Sequence, residues 1–182
     1  MKKGPYKILS SKTVYKNPWM SVREDKVIYK GKEKSLGIVD YKPGVSVVAL
    51  DAEDNIYLIK EYYYAISEYG IQVPSGGVEK NQTSLDAAKE ELLEETGLTG
   101  KKWISLGFIH PLTFMLNCPA DLFLAFDLKQ KGKPEKGIEL LKIPFDEAYQ
   151  MVIENKIVHA PSIVSILKAK IWLENNKSIS KC

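Results

Sequence analysis

The segment "EELLEETG", residues 90–97, constrains the fold of this chain more than any other stretch, because it places four glutamates in six positions. On a helix, residues four apart are neighbours, and like charges at that spacing cost about 0.2–0.5 kcal/mol per pair. Glu91 and Glu95 have this spacing, and so do Glu90 and Glu94. A fold that makes this segment helical therefore needs something outside the helix to offset the repulsion.

The residues around the acidic cluster predict one helix with defined ends, over residues 83–96. Thr83 is the predicted N-cap, with Asp86 three residues later in the capping-box position, and Gly97 supplies the C-terminal stop. A Pro-Ser-Gly-Gly loop, residues 74–77, precedes the helix and exposes backbone groups on its N-terminal side. The apolar face and its border consist of Leu85, Ala88, Leu92 and Glu95.

The rest of the chain alternates strand-like and helical patterns. Residues 1–42 contain short β-like runs separated by turns, and two apolar runs joined by the polar turn at residues 52–55 predict a β-hairpin. Two strand-like runs follow the acidic helix, and two helices that begin near Pro144 and Pro161 end the pattern. Strands at the front and helices at the back predict a layered α/β or α+β domain.

Composition argues against several functional classes. A chain of 182 residues with 45% hydrophobic and 27% charged residues fits one globular domain. A net charge of +3 is too small to indicate nucleic-acid binding. No apolar run approaches the ~20 residues that span a bilayer, and the N-terminus lacks the apolar core of a signal peptide. Cys118 and Cys182 lack metal-ligand spacing, so we expect a reduced, cytoplasmic setting.

The basic residues are unusual in kind. Of 26 lysine and arginine residues, only Arg23 is an arginine. Planar, bidentate recognition of phosphate or carboxylate is usually made by arginine. We therefore expect contacts with such groups to come from lysine, from backbone amides or from a metal ion.

The acidic helix has two interpretations, and a solvated surface is the more common one for a charge cluster. Three features favour a functional site instead. Glu91, Glu94 and Glu95 share one helical face, Lys89 is the only basic residue within the helix, and the Gly-rich loop precedes it. Hard divalent cations such as Mg²⁺ or Mn²⁺ prefer oxygen ligands. Such an ion would relieve the repulsion and attract phosphate.

Residues 76–98, "GGVEKNQTSLDAAKEELLEETGL", resemble the Nudix box, whose pattern is G-x5-E-x7-R-E-U-x-E-E-x-G-U with U an aliphatic residue. Two positions depart from the pattern, because Gln82 stands at the family's first glutamate and Glu90 at its arginine. We expect Gln82 to contact Glu90 directly or through one water, and to hold it away from the metal-binding glutamates. The positions that agree are Gly76, Glu91, Leu92, Glu94, Glu95, Gly97 and Leu98.

Two further segments, residues 45–77 and 144–169, resemble the ADP-ribose and nucleoside-diphosphate-sugar pyrophosphatase branch of that family. The resemblance implies a Nudix fold, an α/β/α sandwich with a mixed sheet. It implies an N-terminal antiparallel strand extension over residues 1–42 and a catalytic domain over 43–182. It also implies Mg²⁺ dependence, with Mn²⁺ as a substitute, hydrolysis of a diphosphate that links a nucleoside to a group X, and a homodimer to which the N-terminal strands contribute.

The resemblance also assigns roles to residues. Glu91, Glu94, Glu95 and the backbone carbonyl of Ser75 are the predicted metal ligands. Glu135, the only carboxylate in the lysine-rich loop "KQKGKPEKG", is the candidate general base. The alternative for Glu135 is that it only offsets neighbouring lysines in a solvated loop. The predicted catalytic residues are Glu94, Glu95 and Glu135, and Gly76, Gln82 and Glu90 are predicted to support the box.

The candidates for substrate binding rest on weaker signals. In "KEYYYA", Tyr63 stands where the branch often has an arginine that helps to hold the ligand, which indicates a changed pocket. Lys60 is either a phosphate contact or a surface lysine. Trp19 and Tyr64 are candidates for stacking on a nucleobase, with packing in the core or a dimer interface as the alternative. His110 is predicted to be structural.

Three functions stay open at this level. The first is a metal-dependent hydrolase of ADP-ribose- or sugar-nucleotide-like substrates, which the intact set Glu91, Glu94 and Glu95 favours. The second is a Nudix-fold nucleotide-binding protein with weakened catalysis, which Gln82 and Glu90 favour. The third is a hydrolase of nucleoside triphosphates or caps that uses the same box.

Overall fold

A computed structural model describes residues 1–176 of the chain, and Cys182 lies outside these residues. The described chain divides into two compact units. The N-terminal unit consists of Met1–Pro43 and His110–Pro119. The core unit consists of Gly44–Ile109 and the chain from Ala120 onward.

The N-terminal unit is one five-stranded sheet. Its strands are β1 (Lys2–Lys3), β2 (Tyr6–Lys16), β3 (Met20–Tyr29), β4 (Lys32–Tyr41) and β11 (Leu116–Asn117). They lie in the order β1-β2-β3-β4-β11, and every neighbouring pair is antiparallel except β4 with β11. The unit therefore consists of antiparallel strands of the N-terminal segment, extended by one short strand from a later loop.

The only arginine of the chain is bound within this sheet. Arg23 Nε lies 3.2 Å from Asp25 Oδ2, and Arg23 Nη1 is hydrogen-bonded to Asp40 Oδ2. Two carboxylates on neighbouring strands thus engage the guanidinium. Arg23 therefore has a structural role in the N-terminal unit. That phosphate contacts come from other groups stays an expectation.

Within the described part of the core unit there are three helices and the remaining strands. The helices are α1 (Ser84–Thr96), α2 (Phe145–Ile153) and α3 (Ala160–Asn176). The strands are β5 (Gly44–Ala49), β6 (Asn55–Tyr63), β7 (Glu68–Gln72), β8 (Ser75–Gly77), β9 (Leu98–Thr99), β10 (Lys102–Ile109), β12 (Ala120–Phe126), β13 (Lys129–Gln130) and β14 (Glu139–Pro144).

These strands form three sheets, in the orders β10-β12-β5-β8, β14-β6-β7 and β13-β9. Strands β12 and β5 are parallel, and the other neighbours are antiparallel, so the largest of the three sheets is mixed. Among the described residues, no helix is long and apolar enough to cross a membrane.

Alternate side chains of β5 enter two separate apolar clusters, as the two-residue period of a strand requires. Val47 and Ala49 pack in the cluster that contains the apolar residues of α1. Val48, together with Leu50 just after the strand, packs in the cluster that contains the apolar residues of α2 and α3. Helices therefore cover both faces of the mixed sheet, and the predicted α/β/α sandwich is confirmed.

The prediction of a β-hairpin around residues 52–55 is wrong, apart from one bridge next to the turn. The two strands meet at one bridge, between Leu50 and Ile56, and then join different sheets. The physical reason is that β5 is a nearly continuous apolar run, buried on both faces, which favours a central position in a sheet. Its two edges are taken by β12 and β8, so β6 pairs elsewhere.

Candidate active site

Helix α1 has the ends that the sequence predicts. The Thr83 side-chain oxygen accepts a hydrogen bond from the Asp86 backbone N–H at 3.1 Å. At the other end, Gly97 has φ +72° and donates its N–H to Leu93 O at 2.8 Å. This left-handed conformation favours glycine, so the helix ends there.

The three predicted metal-binding glutamates differ in exposure. Glu95 is 8% exposed, Glu91 is half-buried and Glu94 is exposed. The only basic residue of the helix, Lys89, lies 3.5 Å from Asp86 and so pairs with the first turn. The acidic face thus extends from the buried interior of the core unit to solvent.

The loop before the helix holds the buried end of this face. The Ser75 backbone N–H donates to Glu95 Oε2 at 2.8 Å. The Ser75 hydroxyl donates to Val73 O at 2.8 Å and lies 2.8 Å from the Ser46 hydroxyl, which then acts as the donor to it. Because both the backbone and the side chain of Ser75 are bound, the position of this turn against Glu95 is well determined.

The Glu91 carboxylate occupies the space that a side chain at Gly76 would fill. A Cβ atom built on Gly76 would overlap the carboxylate of Glu91. The absence of a side chain at Gly76 is therefore what allows the Glu91 carboxylate to approach the loop.

The lysine-rich loop is bound to the C-terminal end of α1. Lys131 and Gly132 both donate their N–H groups to Gly97 O, at 2.9 and 3.0 Å. The Glu135 N–H donates to Glu94 O at 2.8 Å. These bonds satisfy carbonyls that a helix end leaves without intrahelical partners. They also bring Glu135, a residue distant in sequence, to the acidic face.

The pKa of Glu95 is raised to about 8: burial is the largest cause, the nearby charges of Glu91, Glu61 and Glu135 add to it, and the hydrogen bond from Ser75 opposes the shift. Four carboxylates from three different segments are thus close enough to interact. A nearby cation would favour the charged form of Glu95 and offset this repulsion.

Glu61 is a further carboxylate whose charge acts on Glu95, and the sequence analysis did not single it out. It lies on β6, and its Oε1 accepts a hydrogen bond from Gln72 Nε2 at 2.6 Å. Gln72 Oε1 in turn accepts from the Tyr63 hydroxyl at 2.9 Å. Burial raises the pKa of Glu61. The available signal was a carboxylate in a largely apolar strand, two residues from Tyr63 and so on the same face.

Tyr63 is held by its ring as well as its hydroxyl. A Cβ atom on Gly70 would overlap the ring of Tyr63, so the ring packs directly on the backbone of β7. Burial, followed by the charge of Glu61, raises the pKa of Tyr63 to about 12. The hydroxyl therefore keeps its proton at ordinary pH and acts as a donor to Gln72.

A second group that the sequence analysis did not single out joins α3 to the loop that precedes α1. The Ser162 side-chain oxygen accepts a hydrogen bond from the Val73 N–H at 3.1 Å and lies 2.8 Å from His159 Nδ1. Burial lowers the pKa of His159 to about 4, so its ring is neutral at pH 7. In the tautomer with its proton on Nε2, the neutral ring accepts a hydrogen bond at Nδ1 from the Ser162 hydroxyl.

The predicted contact between the two variant box positions is present. Gln82 Nε2 donates to Glu90 Oε2 at 2.6 Å. Gln82 Oε1 accepts from the Glu79 N–H at 3.0 Å, which fixes the orientation of the amide. The role of this contact in holding Glu90 away from the other glutamates stays a prediction.

The other substrate-binding candidates lie on the surface. Lys60 Nζ is 3.2 Å from Glu139 Oε2 in an exposed ion pair. Tyr64 in the core unit is 89% exposed, and Trp19 in the N-terminal unit is 57% exposed. Packing of these two rings in the core is therefore wrong. Cys118 is half-buried, and burial raises the pKa of its thiol, which disfavours a nucleophilic role.

Within residues 1–176, no three side chains of His, Cys, Asp or Glu already form an arrangement that could hold a metal ion. Glu95 instead engages the backbone of Ser75, and Glu91 lies against Gly76. The assignment of Glu91, Glu94, Glu95 and the Ser75 carbonyl as ligands therefore stays a prediction.

The mixed-sheet sandwich with an acidic helix behind a Gly-Gly turn defines a class, and comparison with known families identifies it. A family model described as the NUDIX domain matches residues 40–156. A second, described as the nucleoside diphosphate sugar hydrolase N-terminal domain, matches residues 6–29. The chain belongs to the Nudix family.

Individual relatives agree with this assignment. An ADP-ribose pyrophosphatase of Bacillus subtilis is 25% identical over 171 residues, which cover 88% of this chain and 92% of the relative. An ADP-ribose pyrophosphatase of Mycobacterium tuberculosis is 26% identical over 175 residues, which cover 92% and 84%. A crystal structure of an ADP compounds hydrolase superimposes with a TM-score of 0.81 at 17% identity, covers 94% of this chain and 95% of its own, and so shares the fold. The predictions of the family branch and of a Nudix pyrophosphatase are confirmed.

Proposed function

We propose that this chain is a divalent-metal-dependent hydrolase that cleaves the diphosphate of a nucleoside diphosphate linked to a second group, with ADP-ribose- or sugar-nucleotide-like substrates. One observation carries the proposal. Glu95 is buried against the Ser75 backbone, yet the charges of Glu91 and Glu135 are close to it. Carboxylates are costly to gather in this way unless a cation is bound among them.

The chemistry of these residues fits a divalent cation, as Nudix hydrolases generally use one. We propose Mg²⁺, with Mn²⁺ as a substitute, because the donors are hard oxygen atoms. Glu91, Glu94, Glu95 and the Ser75 carbonyl would hold the ion. When bound, the ion supplies charge for the phosphate oxygens and lowers the pKa of water. Gly76 contributes by letting the Glu91 carboxylate approach the loop.

Glu135 is the proposed general base. Its backbone is fixed to Glu94 O, while its side chain is exposed and open to a substrate water. A base must lie within hydrogen-bond reach of the proton that it removes, which this placement permits once substrate is bound. Glu94 and Glu95 complete the proposed catalytic set.

The substrate-binding roles of Tyr63, Lys60, Trp19 and Tyr64 are proposals of the same kind. Tyr63 offers a neutral, protonated hydroxyl where the branch often has an arginine. An anionic part of the substrate would therefore meet no positive charge from this side chain. The exposed rings of Trp19 and Tyr64 are available for stacking on a base. Lys60 would have to leave Glu139 before it contacts phosphate.

The proposed arrangement also includes a homodimer, a catalytic domain over residues 43–182 and an N-terminal extension over 1–42 that contributes to the interface. The N-terminal unit exposes large apolar side chains on β2 and the following turn, and exposed apolar patches favour protein interfaces. These side chains are Leu9, Val14, Tyr15 and Trp19. Sedimentation of the purified chain should then give the mass of a dimer. Cell fractionation should recover the chain in the cytoplasm and not with the membranes.

A second candidate is a Nudix-fold protein that binds nucleotides with weak hydrolysis. The observation that favours it is the Gln82–Glu90 contact, which leaves the box without the family's arginine. The Glu91, Glu94 and Glu95 set favours the first candidate, because a binding protein has no need for carboxylates that repel phosphate in the absence of metal.

A hydrolysis screen distinguishes the candidates. Purified protein is incubated with ADP-ribose, sugar nucleotides, dinucleotides and nucleoside triphosphates, with Mg²⁺ or Mn²⁺, and Glu91→Gln is the inactive control. Formation of a nucleoside monophosphate and a sugar phosphate supports the proposal. Release of pyrophosphate from triphosphates supports a triphosphate hydrolase. Tight nucleotide binding without turnover supports the binding protein.

A further inference from the structure

Residues 73–75 carry the chain from β7 to β8, and these two strands belong to different sheets. A backbone that crosses between sheets leaves its ladder partners, so its polar groups need others. We propose that Ser162 and His159 are positioning residues of the site, and that they act by holding this crossing segment in place. The inference rests on the proposed function, because Ser75 at the end of the segment supplies a proposed cation ligand.

Every backbone polar group of Val73 and Pro74 has a hydrogen-bond partner. The Val73 N–H donates to the side-chain oxygen of Ser162 at 3.1 Å, and Val73 O accepts from the Ser75 hydroxyl at 2.8 Å. Pro74 has no N–H, and its carbonyl oxygen accepts from the Val47 N–H at 2.9 Å. Ser162 lies on α3 and is 89 positions from Val73 in sequence. The bond from Val73 therefore ties the crossing segment to a distant helix.

The hydroxyl of Ser162 is itself held in place. Ser162 is fully buried, and its side-chain oxygen lies 2.8 Å from His159 Nδ1. A hydroxyl donates one hydrogen bond and accepts up to two, so it accepts from Val73 and donates to the imidazole at the same time. Contacts thus run without a break from His159 to Ser75, whose N–H donates to Glu95 at 2.8 Å.

A second serine on α3 shows what is particular to Ser162. Ser165 is also fully buried, but its hydroxyl has no hydrogen-bond partner among residues 1–176. The two serines therefore differ in their contacts and not in burial or residue type. Loss of the Ser162 hydroxyl would leave the buried Val73 N–H without its acceptor, which favours a shift of the crossing segment. Such a shift would displace Ser75 and with it the proposed cation site.

The test measures the Mn²⁺ affinity of the substrate-free protein below its melting temperature, from the electron paramagnetic resonance signal of free Mn²⁺. Ser162→Ala should weaken Mn²⁺ binding by about tenfold, the lower end of the effect of groups that orient metal ligands. Ser165→Ala is the matched control, because it removes a buried hydroxyl without a partner from the same helix. It should leave the affinity unchanged. Hydrogen exchange of the Val73 amide should become faster in Ser162→Ala and not in Ser165→Ala.

Variants of His159 test the far end of the same set of contacts. His159→Asn keeps an acceptor oxygen close to the position of Nδ1 and should bind Mn²⁺ nearly as the wild type does. His159→Leu removes the acceptor and should weaken binding, by a smaller factor than Ser162→Ala because Val73 keeps its own partner. A purely structural role would instead lower the melting temperature of His159→Leu and leave the Mn²⁺ affinity of the folded protein unchanged.

An unchanged Mn²⁺ affinity in folded Ser162→Ala, with binding lost in Glu91→Gln, overturns this inference and leaves the proposed function intact. Equal weakening in Ser165→Ala also overturns it, as a general effect of changes within α3, and so does unchanged exchange at Val73 in Ser162→Ala. A wild-type protein that binds no Mn²⁺ overturns the proposed function and this inference together. If Ser162→Ala does not fold, His159→Leu decides, and an affinity equal to that of the wild type there overturns the inference.

Discussion

Glu95 and Glu90 lie on the same helix, and the structure places their carboxylates in opposite surroundings. Glu95 is 8% exposed and accepts a hydrogen bond from the backbone of Ser75. Glu90 is exposed and accepts one from the side-chain amide of Gln82. One run of glutamates in sequence is therefore two sites in space, an inner acidic face around Glu95 and an outer contact at Glu90.

The comparison shows that the free-energy cost of a charged carboxylate is higher on the inner acidic face than at the outer contact. A buried carboxylate loses its hydration, and one backbone hydrogen bond does not replace it, so the pKa of Glu95 rises to about 8. An exposed carboxylate such as Glu90 keeps its water and costs little. Substitutions on the inner face should therefore change activity strongly, and substitutions at the outer contact should change it weakly.

The largest expected effect is that of Glu95→Gln. Turnover should fall by roughly 10²–10³-fold, as for the loss of one preorganised electrostatic group. The melting temperature without metal should stay equal or rise slightly, because the amide oxygen still accepts from Ser75 and the cost of ionising a buried carboxylate is removed. Steady-state assays at saturating Mg²⁺ and thermal melts measure the two effects. Near wild-type turnover would remove Glu95 from the site.

Gly76→Ala should disturb the inner face without changing any charge. The added methyl group overlaps the carboxylate of Glu91, so this carboxylate must move, and a misplacement of about 1 Å costs on the order of 10²-fold in turnover. Gly37→Ala is the matched control, since a Cβ there meets open space. If both variants retain full turnover, the close approach of Glu91 to the loop is unimportant for catalysis.

Glu135→Gln should lower kcat by about 10²-fold and leave metal affinity nearly unchanged, if Glu135 is a general base. Its backbone bond to Glu94 does not involve the side chain, so the loop should stay in place. Metal titrations of activity separate the two quantities. A shift in metal affinity with unchanged kcat would make Glu135 a ligand, and no change in either would assign it to the solvated loop.

His159, the residue just before α3, contacts Ser162, which accepts a hydrogen bond from Val73 in the segment that leads to Ser75. We expect His159 to make stability depend on pH. Burial lowers its pKa to about 4 in the folded state, whereas an unfolded histidine titrates near 6.5. Between these values the unfolded state binds a proton that the folded state does not, so stability falls as pH decreases from 6.5 to 4. The loss from this residue is at most about 3 kcal/mol.

Chemical denaturation at several pH values tests the role of His159. His159→Gln should flatten the pH dependence of the unfolding free energy in that window, compared with the wild type. His110→Gln is the control, because His110 is the other histidine of the chain and is exposed. An equal slope in the wild type and His159→Gln would assign the acid sensitivity to other groups.

The smallest expected effect is at the outer contact. Glu90→Arg alone faces a neutral Gln82, and Gln82→Glu alone places a carboxylate next to Glu90. The double change restores a charge-assisted contact, which is stronger than a neutral one. A double-mutant cycle on melting temperature and kcat/KM should give a coupling of roughly 0.5–3 kcal/mol. Strict additivity in both quantities would show that the two departures from the box are independent.

The ends of α1 and the class of fold were predictable because their causes are local. The cap at Thr83 and the left-handed glycine at Gly97 each involve residues within one helical turn. The nearly continuous apolar run of β5 and the helical spacing of apolar residues in α1 indicate the layers before any tertiary contact is known. The contact between Gln82 and Glu90 was also predictable, since the two residues are only eight positions apart, across the first turns of α1.

The sequence by itself thus determined α1, its acidic face and the family of the chain. Only the tertiary structure decided that β5 and β6 join different sheets, because strand pairing depends on which edges remain free in a buried sheet. It also decided the surroundings of Glu61 and His159, because the shifts of their pKa values come from burial. Burial is a property of the packed chain, so no short stretch of sequence contains it.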